Sequence, residues 1–409
     1  MRLGWRCAFT AICALALSAC STASYRDQEA TEPTLELAER SPEYIAAQMR
    51  ENLFSYADAF DEELNTDTLS PEQQIALQMA GAMGREDILA GLFPDRHLPD
   101  CMATGTDPLT AIVEGARQTS IVIINEAHDQ PRHRAFIETV VKALNDEGYT
   151  IYAAETLNVS PPGSGPVSDE LPLLSEGWYS RDPIFGRLIR TVKSLGMERV
   201  VYEETADQRV PDDARPRDRI IARETAQTDN LMAQIFTGRP DAKVIIHVGH
   251  SHVEEFPHAV GENEPLLWMA ARLKAATGID PFTISQTVCQ SGSGDTEFVR
   301  AGETVAGGYD HTDALVGHPP YHFTEGRPDW RRTAGDVDVP VPPAFLGLDA
   351  PVIIEARRIG EPVHTVPEDR LMLRKGEALP LLLPQGDYRL EGWTKDGQIG
   401  NPIPVTIPG

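Results

Sequence analysis

Five short strand-like runs, spaced so that a helical stretch fits between each pair, constrain this chain more than any other feature. They are Ile121–Ile124, Thr150–Ala154, Arg199–Tyr202, Lys243–Val248 and Phe282–Ser285. The intervening stretches carry apolar residues at helical spacing. Phe136, Val140, Val141 and Leu144 mark the first, Phe185, Leu188, Ile189 and Val192 the second, and Ile221, Thr225, Leu231 and Ile235 the third; Pro265–Ala276 forms the fourth. Such alternation predicts an α/β fold: a mostly parallel sheet flanked by helices and joined by right-handed crossovers. A sixth strand is expected at Asp313–Val316.

Each of the first four runs ends in ionisable residues. The first reads Ser-Ile-Val-Ile-Ile-Asn-Glu-Ala-His-Asp-Gln-Pro-Arg-His from Ser120 to His133, with Glu126 and His128 directly after its apolar core. The second ends at Glu155, the third at Glu203 and Glu204, the fourth at His250 and His252. The carboxyl ends of strands are where open α/β sheets bind ligands. Residues two apart in extended chain point the same way, so Glu126 and His128 are expected to project together, as are His250 and His252. Any one of these groups alone reads as an ordinary solvated residue at a strand end; the coincidence over four strands is what argues for a shared site. His247, inside the fourth run, reads instead as a buried, hydrogen-bonded core residue.

Two chemistries suit the set. His128 can act as general base on water, with Glu126 orienting the ring and Glu155 and His250 nearby. Equally, Glu126, His128, Glu203, His250 and His252 are a donor set for a divalent metal such as Mn or Zn. No Ser or Cys stands in a nucleophile-elbow context, since Gly249-His250-Ser251 lacks the pattern. The reading is therefore direct attack by water on an ester or amide of a small-molecule or peptide ligand. The long stretch Thr156–Asp182, rich in Pro, Gly and Ser, leaves the ligand end of the second strand and reads as a lid or binding loop. Its Trp178 and Tyr179 could cover an apolar ligand such as haem.

The flanks divide the chain further. Residues 41–119 read as a helical leader. Its long first helix carries Ile45, Met49, Leu53, Tyr56, Phe60 and Leu64 on one face, and a second start lies at Ser70-Pro71-Glu72-Gln73. Residues 120–335 form the α/β domain. Residues 340–409, with short strand-like runs separated by Pro and Gly, read as a small β-sandwich-like domain.

Charge and the first residues place the chain in a cell. A formal net charge of −26 over 409 residues argues against a nucleic-acid partner, which needs a basic face. Met1–Ala19 has the basic start and short apolar run of a secretory signal. It ends in Leu17-Ser18-Ala19-Cys20, which resembles a lipobox. Cys20 would then carry lipid, with 20–40 as a tether and Ser21 matching the outer-membrane sorting pattern. The expected location is the outer membrane, anchored and facing the periplasm; a plainly cleaved signal peptide is the alternative. Cys101 and Cys289 remain, and in an oxidising compartment they are expected to pair, with two buried free thiols as the alternative.

The run Ile-Asn-Glu-Ala-His-Asp-Gln-Pro-Arg-His, residues 124–133, resembles the E-x-H-D-x-P-x-H signature of the ChaN-like lipoproteins. Glu155 resembles their second acidic position. Arg223-Glu224 through Asn230, followed by Lys243–His252, resembles their last motif. The likeness covers about Ser120–Phe256 and extends to a wider superfamily that includes the erythromycin esterases and the TraB/Tiki group. It implies hydrolysis by His128 with Glu126, Glu155 and His250, or metal-dependent proteolysis, or haem binding in iron uptake. The sequence departs from the pattern at Asn125, where glycine is usual, and in having one residue rather than two between Glu126 and His128. For a haem-ligating tyrosine it offers Tyr149, Tyr152 and Tyr179.

Overall fold

The computed structural model describes residues 41–61, 69–94, 97–101, 105–157, 168–211, 213–257, 265–300 and 309–409. The signal segment, Cys20, the tether and Leu64 lie outside them. No helix among the described residues is long and apolar enough to cross a membrane.

The leader comprises α1 (Pro42–Asp61), α2 (Pro71–Gln78) and α3 (Glu86–Leu92), followed by α4 (Pro108–Ala116). The expected capping box is present at α2, where Ser70 and Gln73 satisfy each other's backbone amides. The α/β unit then runs β1 (Ile121–Glu126), α5 (Pro131–Asp146), β2 (Ile151–Ala154), α6 (Pro183–Ser194), β3 (Glu198–Val200), α7 (Pro216–Leu231), β4 (Val244–Gly249), α8 (Met269–Thr277) and β5 (Phe282–Ser285). Two further strands, β6 (Glu297–Arg300) and β7 (Ala314–Gly317), complete a seven-stranded sheet of order β3-β2-β4-β1-β5-β7-β6. All its pairings are parallel except β6 on β7. The sixth strand expected from the sequence is β7; β6 is an addition, too short and polar at its ends to stand out.

Alternation along the strands sorts the sheet's residues into two cores. Val122 and Ile124 of β1, Tyr152 of β2, Ile245 of β4 and Ile284 of β5 pack under α4, α5 and α6. Ile121 and Ile123, Ile151, Val244 and Ile246 face α7 and α8 on the other side. At the β5 end, Cys101 and Cys289 form a disulfide across a sequence separation of 188, with Cα atoms 5.0 Å apart. Such a loop-closing link restricts the unfolded chain, the source of most disulfide stabilisation in the chain-entropy account.

After the small pair β8 (Phe323–Thr324) and β9 (Arg327–Pro328) comes α9 (Asp329–Thr333). The C-terminal part then holds β10 (Val337–Val339), β11 (Val352–Arg358), β12 (Asp369–Leu373), β13 (Leu381–Leu383), β14 (Gly386–Thr394) and β15 (Gly397–Ile407). They make antiparallel sheets, a four-stranded β12-β11-β14-β15 and a two-stranded β10-β13. Val352, Ile354 and Ala356 point from β11 into the core between them, with Leu371, Leu381 and Leu390. The opposite face of β11 is unusual. Ile353 packs with Met49 and Leu53 of the leader, but Glu355 and Arg357 lie in the same row and are fully buried. Glu355 is held by Arg50 at 3.1 Å, Arg370 at 3.0 Å and Arg357 at 3.0 Å. Arg370 also donates to the backbone oxygens of Ala82 and Arg181. The leader and the C-terminal sheet thus share one core whose centre is ionic.

Candidate active site

Glu126 extends the row of β1 that carries Val122 and Ile124, and His247 extends the β4 row that carries Ile245. Parallel pairing sets β4 directly beside β1, with Glu126 opposite Gly249. Tyr152 lies in the matching row of β2. These three therefore meet beneath the first turns of α5, from which Arg134 enters. Arg134 donates Nε–H to Glu126 Oε2 at 2.7 Å and Nη2–H to Oε1 at 2.8 Å, a two-point grip on a carboxylate. His247 Nε2 meets Oε2 at 3.0 Å, and His128 Nδ1 meets Oε1 at 2.9 Å. Tyr152 pairs with the other nitrogen of His247 at 2.8 Å. Burial alone would raise the Glu126 carboxyl, but Arg134 and His247 overcome it and hold it well below the usual carboxylate range. An ionised carboxylate only accepts, so the protons on His128 Nδ1 and His247 Nε2 both face Glu126.

That assignment makes Nε2 the basic atom of His128. It lies against Gly249 and Glu155: a Cβ built on Gly249 would fall 2.6 Å from Nε2 and 3.0 Å from Glu155 Oε2. Only glycine lets the ring come so close to β4. Glu155, just past β2, accepts the Gly249 amide at 2.6 Å and Arg223 Nη2 at 2.6 Å. Burial pushes its carboxyl up, yet Arg223, His252 and His128 bring it far down. Arg223, from α7, also grips Glu203 through Nε at 3.0 Å and Nη2 at 2.5 Å.

His250 is close by, its ring edge-on to His128 with centroids 5.3 Å apart. Glu126, His128, Glu155 and His250 are therefore brought together at the carboxyl ends of β1, β2 and β4. His250 adopts a left-handed backbone with φ 40°, rare for a residue with a side chain and a mark of local strain. Asn125 holds it there, donating Nδ2–H to the His250 oxygen at 2.8 Å. The same carboxamide accepts the Gln286 amide at 2.7 Å. Asparagine at 125 thus ties β1 to the ends of both β4 and β5.

His250 and His252 do not project together. Residues His250–Val253 form a 3₁₀ turn, whose three residues per turn set positions two apart on different sides. His252 instead enters a neighbouring cluster, with Nδ1 2.7 Å from Glu224 Oε1 and Nε2 3.1 Å from Arg223 Nη1. Glu224 and Glu155 draw its pKa up to about 9 against burial. Arg223, beside Nε2, opposes that rise only in part.

The expected metal set, Glu126, His128, Glu203, His250 and His252, is not assembled. Among the described residues no group of three or more His, Cys, Asp or Glu side chains is arranged to hold a metal ion. The reason is the two arginines: Arg134 occupies both oxygens of Glu126, and Arg223 bridges Glu155, Glu203 and His252. Haem fits no better. The cavity beside His128, lined by Glu126, Glu155, Thr156, Tyr179, Phe185 and Gly249, measures about 170 Å³. Even with its space open to solvent counted, that is less than a porphyrin occupies. Each candidate tyrosine has a protein partner: Tyr149 bonds the oxygens of Ala116 and Thr119, Tyr152 bonds His247, and Tyr179 bonds Gln78.

Sequence reasoning missed Arg134 and the parts that Tyr152 and His247 play. His247 is buried and hydrogen-bonded as expected, yet its partner is Glu126, so it belongs to the site. Period-two alternation in β1, β4 and β2 could have found it, given the strand order. Arg134 had no such signal: only its distance of eight residues from Glu126, across a turn of unknown shape, connects the two.

No protein-family model matches the chain, and no curated protein matches it in sequence. Solved structures give faint likenesses to bacterial toxins. A structure described as bacterial protein toxins is 15% identical, with a TM-score of 0.32 over 53% of this chain and 46% of that one. RRSP, a MARTX toxin effector domain from Vibrio vulnificus CMCP6, is 16% identical, with a TM-score of 0.29 over 68% of this chain and 47% of that one. The C-terminal region of Pasteurella multocida toxin is 9% identical, with a TM-score of 0.32 over 86% of this chain and 51% of that one. This chain thus spans about half the length of each. Likenesses this distant transfer neither family nor activity.

Proposed function

We propose that this chain is a hydrolase in which His128 activates water against an ester or amide, working as a lipid-anchored protein of the bacterial outer membrane that faces the periplasm. The observation that carries the reading is the Glu126–His128 contact at 2.9 Å, with Glu126 gripped at both oxygens by Arg134. A permanently ionised carboxylate fixes the imidazole tautomer and favours the imidazolium that forms when Nε2 takes a proton from water. Glu155, also ionised and on the Nε2 side, can accept the water's other hydrogen. The narrow cavity suits a slender acyl or amide group of a larger molecule. Arg134 and Arg223 neutralise the carboxylates that would otherwise recruit a metal, so the reaction is read as metal-free.

The test is hydrolysis of a panel of short-chain esters, lactones and peptide amides by the full chain, compared with His128→Gln and Glu126→Gln. Loss of the general base should cost about a hundred- to ten-thousand-fold in rate. Turnover that survives both substitutions would refute the site. The anchor rests on Leu17–Cys20: Cys20→Ser should release the protein from membrane fractions, and unchanged partitioning would rule out lipidation there.

A further inference from the structure

His128 is only 3% exposed, although it lines the cavity. The cover is Tyr179. Its ring lies flat on the imidazole, with centroids 3.8 Å apart and planes within 10°. Tyr179 is fixed at three points. Its amide donates to Thr156 Oγ1 at 2.7 Å, its hydroxyl donates to Gln78 Oε1 of α2 at 3.2 Å, and the Arg134 guanidinium stands 5.9 Å from its ring. The neighbouring Gly177 makes this seat possible, because a Cβ there would overlap the Thr156 carbonyl. Parallel stacking with the rings this close gains strength once one of them is a cation, because the electron-rich tyrosine face then meets positive charge.

We propose that Tyr179 gates and positions His128: it bars one face of the imidazole, holds the ring in the plane that meets Glu126, and supports the imidazolium form. This rests on the reading of His128 as the general base. The titratable and charged groups facing His128 include Glu126 from β1, Arg134 from α5, Glu155 after β2, His250 after β4 and Tyr179 itself. Tyr179 stacks parallel on the ring. Through Gln78 the helical leader is coupled to the base, and an occupant of that face of His128 must displace Tyr179.

Diethyl pyrocarbonate, which acylates unprotonated imidazole, tests this on the full chain without any substrate. The rate of His128 modification, mapped by mass spectrometry across pH, reports access in its plateau and basicity in its midpoint. Tyr179→Ala should raise the plateau severalfold and move the midpoint down by about 0.4–1.5 pH units. Tyr179→Phe, which keeps the ring but loses the hydroxyl's hold on Gln78, should restore the midpoint and bring the plateau down to the level of Gln78→Leu. Gln78→Leu, which leaves the ring in place but unpins its hydroxyl, should raise the plateau by less and serves if the alanine variant does not fold. The buried His133 and His318 should keep their wild-type rates. An unchanged His128 profile in Tyr179→Ala and Gln78→Leu, failure of Tyr179→Phe to restore the midpoint, or a parallel rise at His133 and His318 would overturn the proposal. Hydrolysis assays fail or succeed separately, so loss of the catalytic reading would not be confused with loss of the gate.

Discussion

Gly249 stands so close to His128 that a Cβ at position 249 would fall 2.5 Å from the ring's Cε1 and 2.6 Å from Nε2. One added methyl group must therefore push the imidazole off Glu126 or displace β4. Gly249→Ala should depress hydrolysis by about a hundredfold or more, since small misplacements of a catalytic group are costly. Its thermal midpoint should fall only modestly. A variant with wild-type turnover would show that the position of His128 is not critical.

Arg134 is the main counter-charge to a carboxylate buried to 2% exposure. Arg134→Met keeps the bulk but leaves Glu126 with two imidazoles. Breaking a buried pair in this way should cost about 3–5 kcal/mol, and the Glu126 pKa should rise. Denaturant titration measures the first effect. If stability is unchanged, the buried charge is satisfied by something other than Arg134.

Much of the α/β layout was legible in the sequence. The strand-like runs ended within a few residues of β1 to β5, because buried parallel strands leave a compact apolar signature between helical patterns. Glu126, His128, Glu155 and His250 were legible as strand-end groups for the same reason. The turn geometry was not. Nothing in Gly249-His250-Ser251-His252 announces a left-handed residue followed by a 3₁₀ turn, so His252 was assigned to the wrong side. The arginines escaped because a cation that neutralises a distant carboxylate has no spacing rule. Without them, a cluster of histidines and glutamates reads as a metal site.

Acid should loosen the fold before the carboxylates titrate. His133 and His318 stack with centroids 5.2 Å apart, and His318 Nε2 pairs with Gln286 Oε1 at 2.7 Å. Burial, reinforced by Arg132, pushes His133 down to about 3, and burial with His133 and Arg132 holds His318 well below its ordinary value. Unfolded histidines titrate near 6.5, so the unfolded chain binds these protons first. Their contribution to stability is complete above about pH 6.5 and declines as pH falls toward 3. Thermal midpoints should drop between pH 7.5 and 5, and less so in His318→Gln. A flat profile over that interval would count against two neutral buried rings.

Glu355 is the hub of the ionic core between the leader and the C-terminal sheet. Burial would raise its carboxyl, but Arg357, Arg370 and Arg50 hold it at about 2. Glu355→Ala removes the carboxylate shared by Arg50, Arg370 and Arg357, of which Arg357 keeps Glu391, and should cost about 3–5 kcal/mol. Limited proteolysis should then cut first within Pro42–Asp61, released from its contact with β11. Protection equal to wild type would show that the apolar contacts around Ile353 suffice.

The same contact sets an order of assembly. Arg50 and Glu355 are 305 residues apart, so α1 leaves the ribosome long before the sheet that completes its core exists. Until β11 to β14 emerge, the stripe of Met49 and Leu53 has only part of its native cover, that from the rest of the leader, a condition that favours aggregation and capture by chaperones. The α/β unit can condense earlier from nearer contacts, and the two ends of the chain must close around it afterwards. Truncation from either end would leave the other with an uncovered apolar face studded with unpaired charge. The helical leader and the C-terminal sheet are therefore obligate partners, and a genetic lesion in one should be felt as instability of the other.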